Sequence, residues 1–182
     1  MPAKPKARST TTKKRKQARR KRSEREILKE RLDRCFSWYV RLIEADNDGN
    51  VSCITCETVR HWTEVDAGHF ISRRYLAVRW RPENVKPQCK RCNMRHAGEQ
   101  WLFSRALQKQ YGEQICETLY NTATNGKPPT TEQLKIYLEW YEHQVTTILT
   151  RRIERDSRER GSVPKALNQR IQLHGPHGRG ED

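Results

Sequence analysis

Leu28, Leu32, Cys35, Tyr39 and Leu42 fall at three- and four-residue intervals, with Phe36 and Ile43 widening the stripe. Positions three or four apart share a helix face, so this spacing predicts an amphipathic helix over 24–45. Ser23 followed by Glu26 is a capping-box pattern at its start, and the turn-forming run Ala45-Asp46-Asn47-Asp48-Gly49-Asn50 marks its end. The rhythm then breaks. Between 51 and 96 glycine and proline interrupt the apolar runs, so no long helix fits. Two cysteine knuckles and a β-hairpin are expected there, followed by a helix that begins near Cys92. Trp101, Leu102, Leu107 and Tyr111 restore the helical period, Gly112 interrupts it, and Ile115, Leu119 and Tyr120 mark a short second helix. After the loop Asn125-Gly126-Lys127-Pro128-Pro129, Thr130 with Gln133 forms another capping-box pattern. Leu134, Tyr137, Leu138, Tyr141, Val145, Ile148 and Leu149 then predict a long amphipathic helix to about residue 158. Its apolar face is expected to pack back on the first helix; a homodimer through the same face is the alternative.

Helices flanking a short, broken β region predict an α+β fold. One domain is expected over 24–160 with its core at 51–97, between an N-terminal arm (1–23) and a loose C-terminal tail (161–182) that holds His174 and His177. The charge supports these boundaries. The 182 residues carry a formal net charge of +15, yet residues 1–22 alone hold eleven Lys or Arg and no acid. The remaining 26 basic residues nearly balance 22 acidic ones. An arm with so little apolar surface and so much self-repulsion cannot offset the entropy of ordering, so it should be disordered when free and suited to phosphates. No stretch approaches the ~20 consecutive apolar residues of a membrane span, and no secretory signal is visible, so a soluble, cytoplasmic protein is expected.

Four of the six cysteines form two Cys-x-x-Cys pairs, Cys53/Cys56 and Cys89/Cys92, separated by 32 residues. Thiolates two residues apart on a tight turn can both point into one tetrahedron, and four of them close the shell of a Zn²⁺ ion with no place left for water. A structural zinc is therefore expected. A redox dithiol would need only one pair and a thioredoxin-like βαβ setting, which the pattern lacks. Cys35 and Cys116 lie on apolar helix faces and read as core residues. Asp46, Asp48, Asn50 and Glu57 start like a calcium loop, but Val51 stands where that loop requires glycine and two cysteines intrude, which excludes it.

Joining the knuckles at one ion folds the intervening chain back on itself, so that His69 approaches Asn84 and the helix near Cys92. Between 70 and 96 stand eight cations, Arg73, Arg74, Arg79, Arg81, Lys86, Lys90, Arg91 and Arg95, against the single acid Glu83, with Tyr75 and Trp80 interleaved. Such a surface suits nucleic-acid phosphates, with Arg73, Arg74, Arg79, Arg81, Lys86, Arg91 and Arg95 as the expected contacts. Charge alone does not choose between DNA and RNA.

The string CITC at 53–56, DAGHF at 66–70, the RWRPEN run ending at Asn84 and QCKRCN at 88–93 resembles the phage recombination protein family NinG, also called Rap. The likeness covers roughly residues 30–155. It implies structure-specific endonuclease action on branched DNA such as Holliday junctions and D-loops. The same string is similar to the wider HNH, or ββα-metal, nuclease class. Carried over by position, that likeness implies His69 as general base, Asn84 as the residue that orients it, and Asn93 as ligand of one catalytic Mg²⁺ or Mn²⁺. Asp66 would add a carboxylate to the same ion, and His96 is an alternative ligand or phosphate contact. Asp66 and His69 are three apart, which in a regular strand puts them on opposite faces; a bulge at Ala67-Gly68 would restore a common face. The rival expectation is a zinc-stabilised DNA-binding recombination accessory protein without chemistry of its own.

Overall fold

The structure, a computed structural model, describes residues 21–95 and 98–160. Most of the basic arm, His96, and the tail with His174 and His177 lie outside the described residues. The first helix, α1, runs Glu24–Ile43. Its capping box is formed: the Ser23 hydroxyl accepts from the Glu26 backbone N–H, and the Glu26 carboxylate accepts from the Ser23 N–H at 2.8 Å. Two short antiparallel hairpins follow, β1 (Asn50–Ser52) with β2 (Val59–His61), and β3 (Val65–His69) with β4 (Val85–Cys89). The helices α2 (Lys90–Met94), α3 (Gln100–Tyr111), α4 (Ile115–Asn125) and α5 (Thr131–Arg160) complete the order. The α+β composition agrees with the sequence reading. Among the described residues no helix is long and apolar enough to cross a membrane.

The apolar stripes read from the sequence become two cores. Leu32, Cys35 and Phe36 of α1 meet Leu134, Leu138, Tyr141 and Val145 of α5, and Val51, Trp62, Val65 and Val85 of the hairpins join the same cluster. A smaller cluster gathers Val78, Phe103, Leu107, Leu119 and Ala123 around α3 and α4, with Cys116 packed against it. Burial pushes the Cys35 thiol up to about 12 and raises that of Cys116, as befits inert core sulfurs. The α5 start is also capped as its sequence implies, with Gln133 Oε1 accepting from the Thr130 N–H at 2.8 Å.

The structure departs from the sequence reading in the β region. The β1–β2 hairpin, which carries the first knuckle in its turn, is not visible in the pattern because its strands are three residues long, too short for an alternation to show. The helix near Cys92 begins two residues earlier, at Lys90. The β3–β4 ladder pairs one to one from Val65↔Cys89 to His69↔Val85, so there is no bulge at Ala67-Gly68. Gly68 serves another purpose: a Cβ there would lie 2.4 Å from Gln88 Oε1. The missing side chain gives Gln88 room to donate from Nε2 to the Gly98 carbonyl at 2.7 Å, just before α3.

Candidate functional site

Cys53 and Cys56 occupy the turn between β1 and β2, Cys89 ends β4, and Cys92 lies in α2. Their four sulfurs all lie within 4.8 Å of one another, and Cys56 Sγ is 3.8 Å from Cys89 Sγ. Thiolates about 2.3 Å from a tetrahedral zinc ion would themselves be about 3.8 Å apart, so the cluster could hold a structural metal ion such as zinc. All four are free thiols. The turn is tight enough that Glu57 adopts a left-handed backbone (φ 57°), a conformation uncommon outside glycine. Nearby groups favour thiolate: the Thr58 hydroxyl lies 3.3 Å from Cys56 Sγ, and the Cys89 N–H donates to Cys53 Sγ at 3.3 Å. Hydrogen bonding from Thr58 brings Cys56 down to about 6. Burial opposes ionisation of Cys53, but hydrogen bonds from Thr55 and neighbouring amides outweigh it, and its pKa falls. Burial takes Cys92 the other way, up to about 12.

His69 closes the β3 ladder. Its Nε2 lies 3.2 Å from the Arg79 carbonyl. A carbonyl only accepts, so Nε2 carries the proton and Nδ1 keeps the lone pair of the neutral ring. Burial lowers the imidazole pKa below its ordinary 6.5, against the opposing pull of the Arg79 and Ala67 carbonyls. Asn84 is fully buried and hydrogen-bonds only to backbone: Nδ2 donates to the carbonyls of Ile71 and Val78, and Oδ1 accepts from the Ile71 N–H at 2.7 Å. It makes no side-chain bond to His69, and its hold on the ring runs through the loop backbone. What holds the ring is a backbone carbonyl in the loop that Asn84 shapes.

Asp66 and Asn93 come together, Asn93 Nδ2 donating to Asp66 Oδ2 at 3.0 Å. The unbroken register puts Asp66 on the ladder face opposite His69. Among the described residues no hydrogen bond joins His69 to Asp66 or Asn93. The two groups therefore flank one narrow ribbon, with β3 as a strand that has a ladder partner on one side only.

The cations divide into exposed ones and ones tied into the structure. Lys86, expected on phosphates, is instead buried and pairs with Glu44 at 2.7 Å and the Tyr111 hydroxyl at 2.6 Å. Burial works against its charge, but those two partners raise its pKa overall. Arg79 is also diverted: its guanidinium is bound to Asp33 and lies over the Trp80 ring. Arg73 reaches the same carboxylate at 3.2 Å from an exposed position, while Arg74 stacks over Tyr75. Arg81 and Arg95 are exposed. Arg91 faces the sulfurs of Cys56 and Cys92, which raise its pKa. It also lines a groove with Arg60 and Lys90 beside the knuckles. Sequence reasoning missed Asp33, which accepts from Arg73, Arg79 and the Trp80 indole, and it missed Arg60. Neither carries a local signal, since Asp33 sits on a helix some 40 residues before its partners.

A family model described as "Bacteriophage Lambda NinG protein" matches residues 2–151. The chain belongs to the NinG family. No curated protein and no solved structure matches it. The NinG match spans both cysteine pairs, His69, Asn84 and Asn93, begins within the basic arm and ends inside α5. NinG is a phage recombination-related family.

Proposed function

We propose that this NinG-family chain is a metal-dependent endonuclease that cuts branched DNA, such as Holliday junctions and D-loops, during recombination. The observation that carries the reading is the half-buried His69, whose Nε2 lies 3.2 Å from the Arg79 carbonyl, an arrangement that makes Nδ1 the basic nitrogen of the neutral ring. Phosphodiester hydrolysis needs a water made nucleophilic, and a ring that is neutral at pH 7 can take the proton as the water oxygen bonds to phosphorus. The P–O bond to the leaving oxygen then breaks, and that oxygen takes up a proton. On the other face of the ribbon Asp66 and Asn93 each offer an oxygen, the donor type Mg²⁺ or Mn²⁺ requires. Bound there, the ion would supply electrostatic stabilisation of charge on the transferring phosphate. Among the described residues β3 has a ladder partner on one side only, and its open edge is where a phosphate would meet groups from both faces of the ribbon.

The exposed cations fit the same reading. Arg73, Arg74 and Arg81 lie near the His69↔Val85 end of the hairpin, and Arg60, Lys90 and Arg91 near its Val65↔Cys89 end. Four residue steps separate the ends, about 13 Å at the antiparallel rise, so a backbone bridging both clusters crosses the ribbon between them. The basic arm adds affinity that does not depend on sequence.

The test incubates zinc-loaded protein with labelled four-way junction, D-loop and linear duplex DNA, with and without Mg²⁺ or Mn²⁺, beside His69→Ala. Divalent-dependent nicking of the branched substrates is expected, reduced about 10²- to 10⁴-fold in the variant with junction binding retained. Tight binding without nicking under either ion would instead support a recombination accessory protein without chemistry.

A further inference from the structure

A cavity of about 240 Å³ opens between the β3–β4 loop, the end of α4 and the start of α5. Its walls include Trp80, Pro129, Tyr137 and Tyr141, and it also takes in Arg81 and Lys127. Thr122 and Gln133 add hydrogen-bonding groups, and no acid lines it. The walls are held in place from behind. The Tyr141 hydroxyl donates to the Trp80 carbonyl at 2.9 Å, and Arg25 of α1 donates to the Pro129 carbonyl at 2.7 Å. Gly126 brings the α4 terminus against the loop: a Cβ there would lie 3.1 Å from the Ala77 Cβ and 2.3 Å from the Thr122 carbonyl oxygen.

Aromatic walls, two cations and no acid suit a flat ring joined to a phosphate. The volume falls below the roughly 300–1,000 Å³ of sites for whole drug-sized ligands, and so suits one ring system better than a base pair. Tyr137 is 40% exposed and therefore still has surface to cover. The position links the cavity to the chemistry. Arg79, whose carbonyl holds the His69 ring, is followed directly by Trp80 and Arg81, both of which line the cavity. One stretch of loop thus faces the imidazole with its backbone and lines the cavity with its next two residues.

We infer that this cavity receives a single unpaired nucleobase from the DNA branch, stacked on Tyr137, with Arg81 and Lys127 on the flanking phosphates. The inference rests on the branched-DNA reading and gives it a physical basis: a continuous duplex would have to break a pair and a stack to fill the cavity, whereas a branch point supplies an unstacked base at lower cost.

The test uses the full zinc-loaded chain without Mg²⁺ or Mn²⁺, so that it does not depend on cleavage. A four-way DNA junction carries 5-iododeoxyuridine either at the branch or in mid-arm, and after near-ultraviolet irradiation the crosslinked peptides are mapped by mass spectrometry. Crosslinking to Tyr137 is expected from the branch label and not from the mid-arm label. In parallel, Tyr137→Ala should weaken junction binding between about fivefold and about a hundredfold while leaving linear-duplex affinity unchanged, and Tyr137→Phe should restore it. Junction binding with no Tyr137 crosslink and no loss in Tyr137→Ala would overturn the cavity inference alone and leave the nuclease reading standing. Failure to prefer the junction over linear duplex at all would overturn both.

Discussion

At the scale of single residues, His69 makes its own pH dependence. Burial lowers its pKa below 6.5, so the folded ring resists a proton that the unfolded ring accepts. Below about pH 6.5 the unfolded state therefore binds more protons, and the folded state loses stability as pH falls from there toward the depressed folded value. If His69 is the proposed base, the same shift keeps it active at lower pH than a free imidazole would be. In a pH profile of junction nicking, kcat/KM should reach its plateau by pH 7, with the acid limb centred below 6.5. Chemical denaturation of wild type and His69→Gln at pH 5.5 and 7.5 should show the smaller pH effect in the variant. An acid limb centred above 6.5 would mean that the ring is not the titrating base. The four cysteines were legible in the sequence because their chemistry depends on residue type and close spacing. The partner of Lys86 was not, because Glu44 lies 42 positions away and only the folded chain brings the carboxylate to the amine.

At the scale of elements, the helices were readable because each carries its apolar stripe and its cap within one stretch of chain, and the α1–α5 pairing follows from two stripes that need covering. The loop between β3 and β4 was read only as a basic surface. Its shape comes from Asn84, which ties Ile71 and Val78 together, and from Asp33 on α1, which gathers Arg73, Arg79 and Trp80. Such long-range ties leave no periodic trace. Asn84→Ala would strand one buried and two part-buried backbone groups at once, at roughly 1–3 kcal/mol for each that water fails to reach. A loss on the order of 3 kcal/mol in urea unfolding is therefore expected. Bound zinc should be unchanged, since the Asn84 side chain hydrogen-bonds to Ile71 and Val78 and to no knuckle residue. A loss below about 1 kcal/mol would show that the loop keeps its form without the amide.

At the scale of the whole molecule, the two hairpins depend on a connection that neither possesses alone. Each contains two strands of three to five residues, and a lone two-stranded hairpin is marginal in water. The Ile54 N–H donates to the Pro87 carbonyl at 2.9 Å and Gln88 Nε2 to the Thr55 hydroxyl at 3.4 Å, and the four-sulfur cluster adds to these two bonds the crossing from the β1–β2 turn to β4 and α2. Zinc bound by four thiolates contributes on the order of 10 kcal/mol in small zinc domains, comparable with the entire stability of an ordinary domain, about 5–15 kcal/mol. The α1–α5 pair, by contrast, buries its own stripe of Leu32, Phe36, Leu134, Leu138 and Val145 and has no sulfur ligand in it. Chelation should therefore act unevenly. One zinc per chain is expected by elemental analysis, and its removal should abolish the near-ultraviolet dichroism of Trp62 and Trp80 while most of the helical signal at 222 nm persists. Junction binding and nicking should fall together and return on adding Zn²⁺, but not on adding Mg²⁺ alone. Cys89→Ser should reproduce the chelated state. A metal-free chain that kept its tryptophan signal and its thermal midpoint would show that the apolar core alone holds the hairpins, and that the sulfurs converge for some other reason.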